Sequence, residues 1–137
     1  MTDLLLDTCA VIWTGNGDPI EKEATSRIER CLQSGGKVFV SPFSAWELGA
    51  LVSRARLRLP ISADEWFSQF MYRSRLNLAE LSSRTLVASS FLPGTPPKDP
   101  ADRIVIATAR ENGLAVVTRD QKILNYAAEG HVQAVAC

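Results

Sequence analysis

Short runs of consecutive apolar residues alternate along this chain with longer segments that carry helix signals. The first run, Leu4-Leu5-Leu6, stops at Asp7 and predicts a buried strand. A helix-like turn follows, then a break at 15–19 rich in Gly, Asn, Asp and Pro. The mixed polar segment 20–33 predicts a helix closed by Gly35-Gly36, and 37–40 predicts a second strand. Ser41-Pro42 has the form of an N-cap with proline at the first helical position, so a helix is expected to about Arg56. Ser62-Ala63-Asp64-Glu65 reads as a capping box for a helix reaching about Arg73. Residues 77–81 predict a short strand or an extended connector, 82–91 a helix, and 93–98 a proline-rich loop. Asp99-Pro100 then opens a helix ending at Asn112-Gly113; 114–118 predicts a strand, 120–128 a helix and 132–135 a last strand.

Apolar strands alternating with helices predict an α/β fold whose parallel sheet is covered on both faces. The 137 residues suit one domain spanning 1–137. In open sheets of this kind, ligands sit beyond the carboxyl ends of the strands. Asp7 and Asp120 fall at two such ends, and Glu47 and Asp102 lie early in helices starting near the same edge. Four acids from distant parts of the chain are thus expected on one rim.

Each acid also has a purely structural explanation. Asp7 could cap the segment after it. Glu47 shares a helix face with Phe43, Ala50 and Leu51, where a solvent-facing Glu is out of pattern; pairing with Arg54 is the alternative. Capping accounts fully for Asp99, and only partly for Asp102, because Ile106 lies one turn on along the same face. Asp120 could cap the helix that follows it. The functional weight comes from their joint placement. Clustered carboxylates raise one another's pKa unless a cation neutralises them, and oxygen-only donors suit Mg²⁺ or Mn²⁺. Such a centre suits phosphodiester hydrolysis. In that scheme Asp7, Asp102 and Asp120 hold metal, with Asp99 a weaker ligand candidate. Glu47 completes the shell or orients the attacking water, and Arg103 and Arg119 contact phosphates or form structural ion pairs.

The net charge is zero, with fifteen Lys and Arg against fifteen Asp and Glu. If about five acids converge in a pocket, the remaining surface carries an excess of roughly five positive charges. Arg54, Arg56, Arg58, Arg73 and Arg75 could form a basic rim or ordinary solvated faces. Cys9, Cys31 and Cys137 have no metal-type spacing and read as reduced thiols of a cytoplasmic protein. The apolar stretch 4–13 is short and interrupted by Asp7, so neither a membrane span nor a signal peptide is expected.

Together Leu4-Leu5-Leu6-Asp7-Thr8, Ser44-Ala45-Trp46-Glu47-Leu48, Asp99-Pro100-Ala101-Asp102-Arg103 and Val117-Thr118-Arg119-Asp120 resemble the PIN-domain nucleases, and among them the VapC toxins, over essentially the whole chain. The resemblance implies a three-layer α/β/α sandwich with a central parallel sheet and RNA as substrate. Asp7, Glu47, Asp102 and Asp120 match the family's acidic positions, and Thr118 matches a hydroxyl residue of the same pocket. Similar proteins are usually homodimers restrained by a small antitoxin; the stripe Trp66, Phe67, Phe70 and Met71 is either part of that groove or core. One departure is Lys98, where similar chains often carry histidine. Two rivals are an aspartate-based phosphatase or phospho-receiver domain, disfavoured by Cys9 and by Thr118-Arg119 where other residues are wanted, and a non-catalytic scaffold of the same fold.

Overall fold

The protein is described from a computed structural model covering residues 2–137. The elements run β1 (Leu4–Leu6), α1 (Thr8–Asn16), α2 (Lys22–Gln33), β2 (Val38–Val40), α3 (Pro42–Ser53), α4 (Ala63–Ser74), β3 (Asn77–Leu78), α5 (Ser83–Ala88), α6 (Pro100–Asn112), β4 (Ala115–Thr118), α7 (Gln121–Ala128) and β5 (Gln133–Ala136). All strand pairings are parallel, in the order β3-β2-β1-β4-β5.

Period-two alternation along the strands divides the core into two layers. Leu4, Leu6, Val38, Val40, Ala115, Val117 and Val135 face one side, where Ala10, Val11, Ala24, Leu48, Trp66 and Phe70 of α1–α4 cover them. Leu5 and Val116 face the other side, against Val105, Ile106 and Ala109 of α6 and Ile123 and Tyr126 of α7. The chain is therefore the expected α/β/α sandwich. Trp66 and Phe70, each 7% exposed, pack into the core, with Phe67 and Met71 partly buried against it.

Several boundaries differ from the sequence expectations. A full helix, α1, replaces the helix-like turn. Its β-branched residues weigh against helix locally, but burial of Ala10, Val11 and Ile12 and the Asp7 cap override propensity. It ends at Gly17, whose φ of 74° lies in the left-handed region. Helix α3 stops at Ser53, short of Arg56, because Ala55 turns the chain with φ 57°. After α5, residues 89–91 form tight turns instead of continuing the helix, with Ser90 and Phe91 bonding three residues back.

The strand order makes its topological switch between β1 and β4, which leave their carboxyl ends side by side. Asp7 N–H donates to Val117 O at 3.1 Å across that seam. No helix among the described residues is long and apolar enough to cross a membrane.

Leu5 lies fully buried in the central strand. Leu5→Ala should cost roughly 2–5 kcal/mol and lower Tm by more than about 6 °C. Leu78→Ala, at an edge position 53% exposed, should stay within about 0.5 kcal/mol. Urea titration reads both, and a Leu5→Ala loss under about 1 kcal/mol would contradict the two-layer core.

Candidate active site

The seam between β1 and β4 carries the acidic residues. Asp7 is 7% exposed and follows β1 directly. Its Oδ1 accepts from Ala10 N–H at 2.8 Å, capping α1, and its Oδ2 accepts from the Thr118 hydroxyl. Thr118 is fully buried at the end of β4, and its Oγ1 also accepts from Asp120 N–H at 3.0 Å. One hydroxyl thus ties the two strand ends together. Asp120 caps α7 through Lys122 N–H at 2.8 Å.

Glu47 comes from the second turn of α3. Thr8 donates its hydroxyl proton to Glu47 Oε1 at 2.5 Å, so Ser44 Oγ, 3.0 Å from Thr8 Oγ1, is left as the donor in that contact. Arg54 forms no ion pair with Glu47; among the described residues the one ion pair joins His131 and Glu129. Asp99 is exposed and caps α6 through Ala101 N–H at 2.8 Å, as its position before Pro100 predicted. Asp102, in the first turn of α6, is partly buried and makes no hydrogen bond or ion pair with any described residue.

The electrostatics confirm that these groups share one region. Burial pushes the Asp102 carboxyl up to about 7, and Asp120, Asp99 and Glu47 push in the same direction while Lys122 opposes them. Burial also raises Asp7, against the lowering hydrogen bonds from Thr118 and Ala10, with Asp120 adding to the rise. Glu47 is raised by burial, against its bond from Thr8, and further by Asp99 and Asp7. Cys9 lies beside them; partial desolvation of its thiol, then the charges of Asp7, Glu47 and Asp120, lift it to about 11. A thiol so disfavoured as thiolate is no nucleophile.

The side chains as they stand do not form a closed ligand set. Among the described residues no three His, Cys, Asp or Glu side chains are arranged to hold a metal ion. Asp7 and Asp120 are turned onto helix N-termini and Glu47 onto Thr8. What converges is charge, and in chemistry the donors fit a hard divalent cation: they are all carboxylates, and Asp102 is desolvated among like charges without a partner.

The two arginines have structural tasks other than ion pairing. Arg103 Nε donates to Pro97 O at 2.7 Å, pinning the loop before α6. Arg119 Nε donates to Cys137 O at 2.8 Å, and its guanidinium lies 3.7 Å from the centroid of the Trp13 ring. Thr8 and Ser44 were not singled out from sequence, although hydroxyls one residue after Asp7 and three before Glu47 were a usable signal.

A family model described as the PIN domain matches residues 4–129. The curated ribonuclease VapC22 of Mycobacterium tuberculosis is 31% identical over 128 residues, covering 92% of this chain and 93% of its own. Two solved structures share the fold. One is VapBC2 of Rickettsia felis bound to a promoter DNA fragment, with TM-score 0.71, 15% identity and 98% of each chain covered. The other is the FitAcB structure from Neisseria gonorrhoeae, with TM-score 0.56, 22% identity, and 96% and 95% covered.

Because the folded-state pKa of Asp102 lies above the ordinary 3.8, the folded chain binds its proton more tightly than the unfolded chain. This contribution to stability is complete below about pH 4 and is lost as pH rises to about 7. Three pKa units set a ceiling near 4 kcal/mol, and water reaching this partly buried group reduces the expectation to roughly 1–2 kcal/mol. In EDTA at pH 8, Asp102→Asn should therefore raise Tm by about 3–8 °C, with no gain at pH 4. Thermal melts at the two pH values read this; an equal effect at both would separate Asp102 from the cluster.

Proposed function

The chain belongs to the PIN-domain family, and on that premise we propose that it is a divalent-metal-dependent endoribonuclease acting as the toxin of a toxin–antitoxin pair. The reading rests on Asp7 and Asp120 at the β1–β4 switch point, tied through the Thr118 hydroxyl, with Glu47 coupled by charge to Asp7 and Asp102 to Asp120. The ribonuclease relative, matched over nearly its full length, supports RNA as the substrate.

Asp7, Asp102 and Asp120 would hold Mg²⁺ or Mn²⁺, with Asp99 at the rim. A bound ion would supply neutralisation of these carboxylates, charge opposite the phosphate and a more acidic water. The remaining tasks fall to the chain. Glu47, with Oε1 held by Thr8, keeps Oε2 available to orient the attacking water. Thr118 fixes the orientation of Asp7, and the two capped helix N-termini hold Asp7 and Asp120 at a set spacing. Water attacks phosphorus in line, and the P–O bond to the leaving nucleotide breaks.

The names of the structural neighbours support an antitoxin partner. A cleft of about 280 Å³ between α1 and α4, lined by Thr14, Gly15, Trp66, Gln69, Phe70 and Arg73, suits an apolar anchor of such a partner. A homodimer acting in the cytoplasm completes the reading. The aspartyl-phosphate alternative is weakened by Cys9 and by Thr118-Arg119, which stand where that chemistry wants other residues.

Asp7→Asn retains a capping side chain, so it should fold normally while RNA cleavage falls by at least about a hundredfold. Incubation of total RNA with each protein in Mg²⁺, Mn²⁺ or EDTA checks this, with calorimetric titration of Mn²⁺ alongside. Cleavage by Asp7→Asn at the parent rate, or cleavage unaffected by EDTA, would remove the assignment. Absence of both cleavage and Mn²⁺ binding would leave a scaffold.

A further inference from the structure

Two buried hydroxyls stand behind Glu47. Thr8 is the first residue of α1 and is 7% exposed; Ser44 lies in the first turn of α3 and is 2% exposed. Ser44 and Glu47 are three residues apart on one helix, so they share a face, and Thr8 meets both of them. Its Oγ1 is 3.0 Å from Ser44 Oγ and 2.5 Å from Glu47 Oε1. A threonine hydroxyl has one proton, and an ionised carboxylate can only accept. The Thr8 proton therefore goes to Glu47 and the Ser44 proton to Thr8. Proton count fixes the order Ser44, Thr8, Glu47.

Buried hydroxyls need partners, and Ser44 and Thr8 could satisfy that need by themselves. Their arrangement does more. Serine on a helix commonly bonds a carbonyl of its own preceding turn, as Ser53 and Ser89 do here. Ser44 instead reaches across to α1. Glu47 depends on what it finds there. No other described residue gives it a hydrogen bond or an ion pair, and the charges that act on it, those of Asp99 and Asp7, are of its own sign. Thr8 also follows Asp7 directly, and Asp7 Oδ1 caps the same helix end. One hydroxyl thus links the carboxylate of α3 to the turn that holds Asp7.

We propose that Ser44 is a positioning residue: by donating to Thr8 it orients and strengthens the bond that holds Glu47 Oε1, and so sets where Oε2 stands relative to Asp7. A hydroxyl that accepts one bond donates the next more strongly, and 2.5 Å is the length of a charge-assisted hydroxyl-to-carboxylate bond. Ser44 is too buried to touch substrate itself. The assignment rests on the ribonuclease reading, in which Glu47 orients the attacking water. Misplacing such a group slows the chemical step more than it weakens substrate binding.

The test measures RNA cleavage in Mg²⁺ by the otherwise native chain, well below the Tm of every variant. Thr8→Val keeps the side chain's shape and removes the relay; kcat should fall about tenfold or more, with KM within about twofold. Thr8→Ser, which restores the hydroxyl, should recover most of that loss. Ser44→Ala should lower kcat at least about threefold, and added to Thr8→Val it should lower kcat no further. Thr8→Val alone leaves the Ser44 hydroxyl buried without a partner, so the double variant should melt higher than Thr8→Val while cutting no faster. Neither Ser44→Ala nor the double variant buries an orphaned hydroxyl, so both carry the test should Thr8→Val fail to fold.

A second readout needs neither metal nor substrate. In the metal-free protein the Thr8 hydroxyl proton, shielded from water, should give its own NMR resonance, and Ser44→Ala should move it upfield. An unmoved resonance, or a Ser44→Ala kcat equal to the native value, overturns the proposal and leaves the ribonuclease reading in place. So does a Ser44→Ala loss that multiplies in full with that of Thr8→Val. Should the native chain cut no RNA, the ribonuclease reading falls and the positioning role falls with it.

Discussion

Burial of carboxylates near the edge where β1 and β4 end side by side, with their mutual repulsion second to it, is the constraint the site has to meet. The fold offsets most of that locally. Asp7, Asp99 and Asp120 each cap a helix, so the N-terminal ends of α1, α6 and α7 present backbone N–H groups to negative charge. Glu47 receives a hydroxyl proton donor in Thr8. Asp102 receives nothing comparable, and its carboxyl holds a proton up to about pH 7.

Capping and function are therefore the same placement viewed at two scales. A helix that begins immediately after a parallel strand begins at the carboxyl edge, and an acid at its N-cap is necessarily at the ligand-binding rim. The structural explanations offered for Asp7, Asp99 and Asp120 from sequence turn out to be correct without displacing the convergence of charge. Thr118 shows why the arrangement is stable. Its hydroxyl bonds Asp7 across the seam, beside the Asp7 N–H bond to Val117 O, so slippage of β1 against β4 would break both of these bonds at once.

What could be read from sequence was whatever depends on neighbours along the chain. Leu4-Leu5-Leu6 reads as a strand buried on both faces because all three positions are apolar. Asp99-Pro100 reads as a helix start because both residues suit their places there. Helix α1 was underestimated because Val11 and Ile12 are poor helix formers in isolation, and only the sheet beneath them settles the matter. The side-chain bonds that organise the site join residues 39 and 111 positions apart, Thr8 to Glu47 and Thr118 to Asp7, and no local pattern carries them. Arg119 shows the same limit. Its position before Asp120 suggested a phosphate contact or an ion pair; it makes no ion pair with a described residue, and its contacts with Trp13 and the carbonyl of Cys137 are carried by no local pattern.

Trp46 and Trp66 make the distinction sharpest. Each lies on a helix with an aromatic neighbour at short helical spacing, and each pair is stacked, at 5.3 Å and 5.5 Å. Trp66 packs into the core layer beneath α4, so its stack fills volume. Trp46, in the second turn of α3, is 63% exposed, so its stack lies at the surface and not in the core. The same local chemistry thus serves packing in one helix and leaves a rigid, open ring in the other. The difference is set by which side of the helix faces the sheet. A neutral total charge conceals a similar division, because acids drawn to the β1–β4 edge leave Arg54, Arg56 and Arg58 exposed without carboxylate partners.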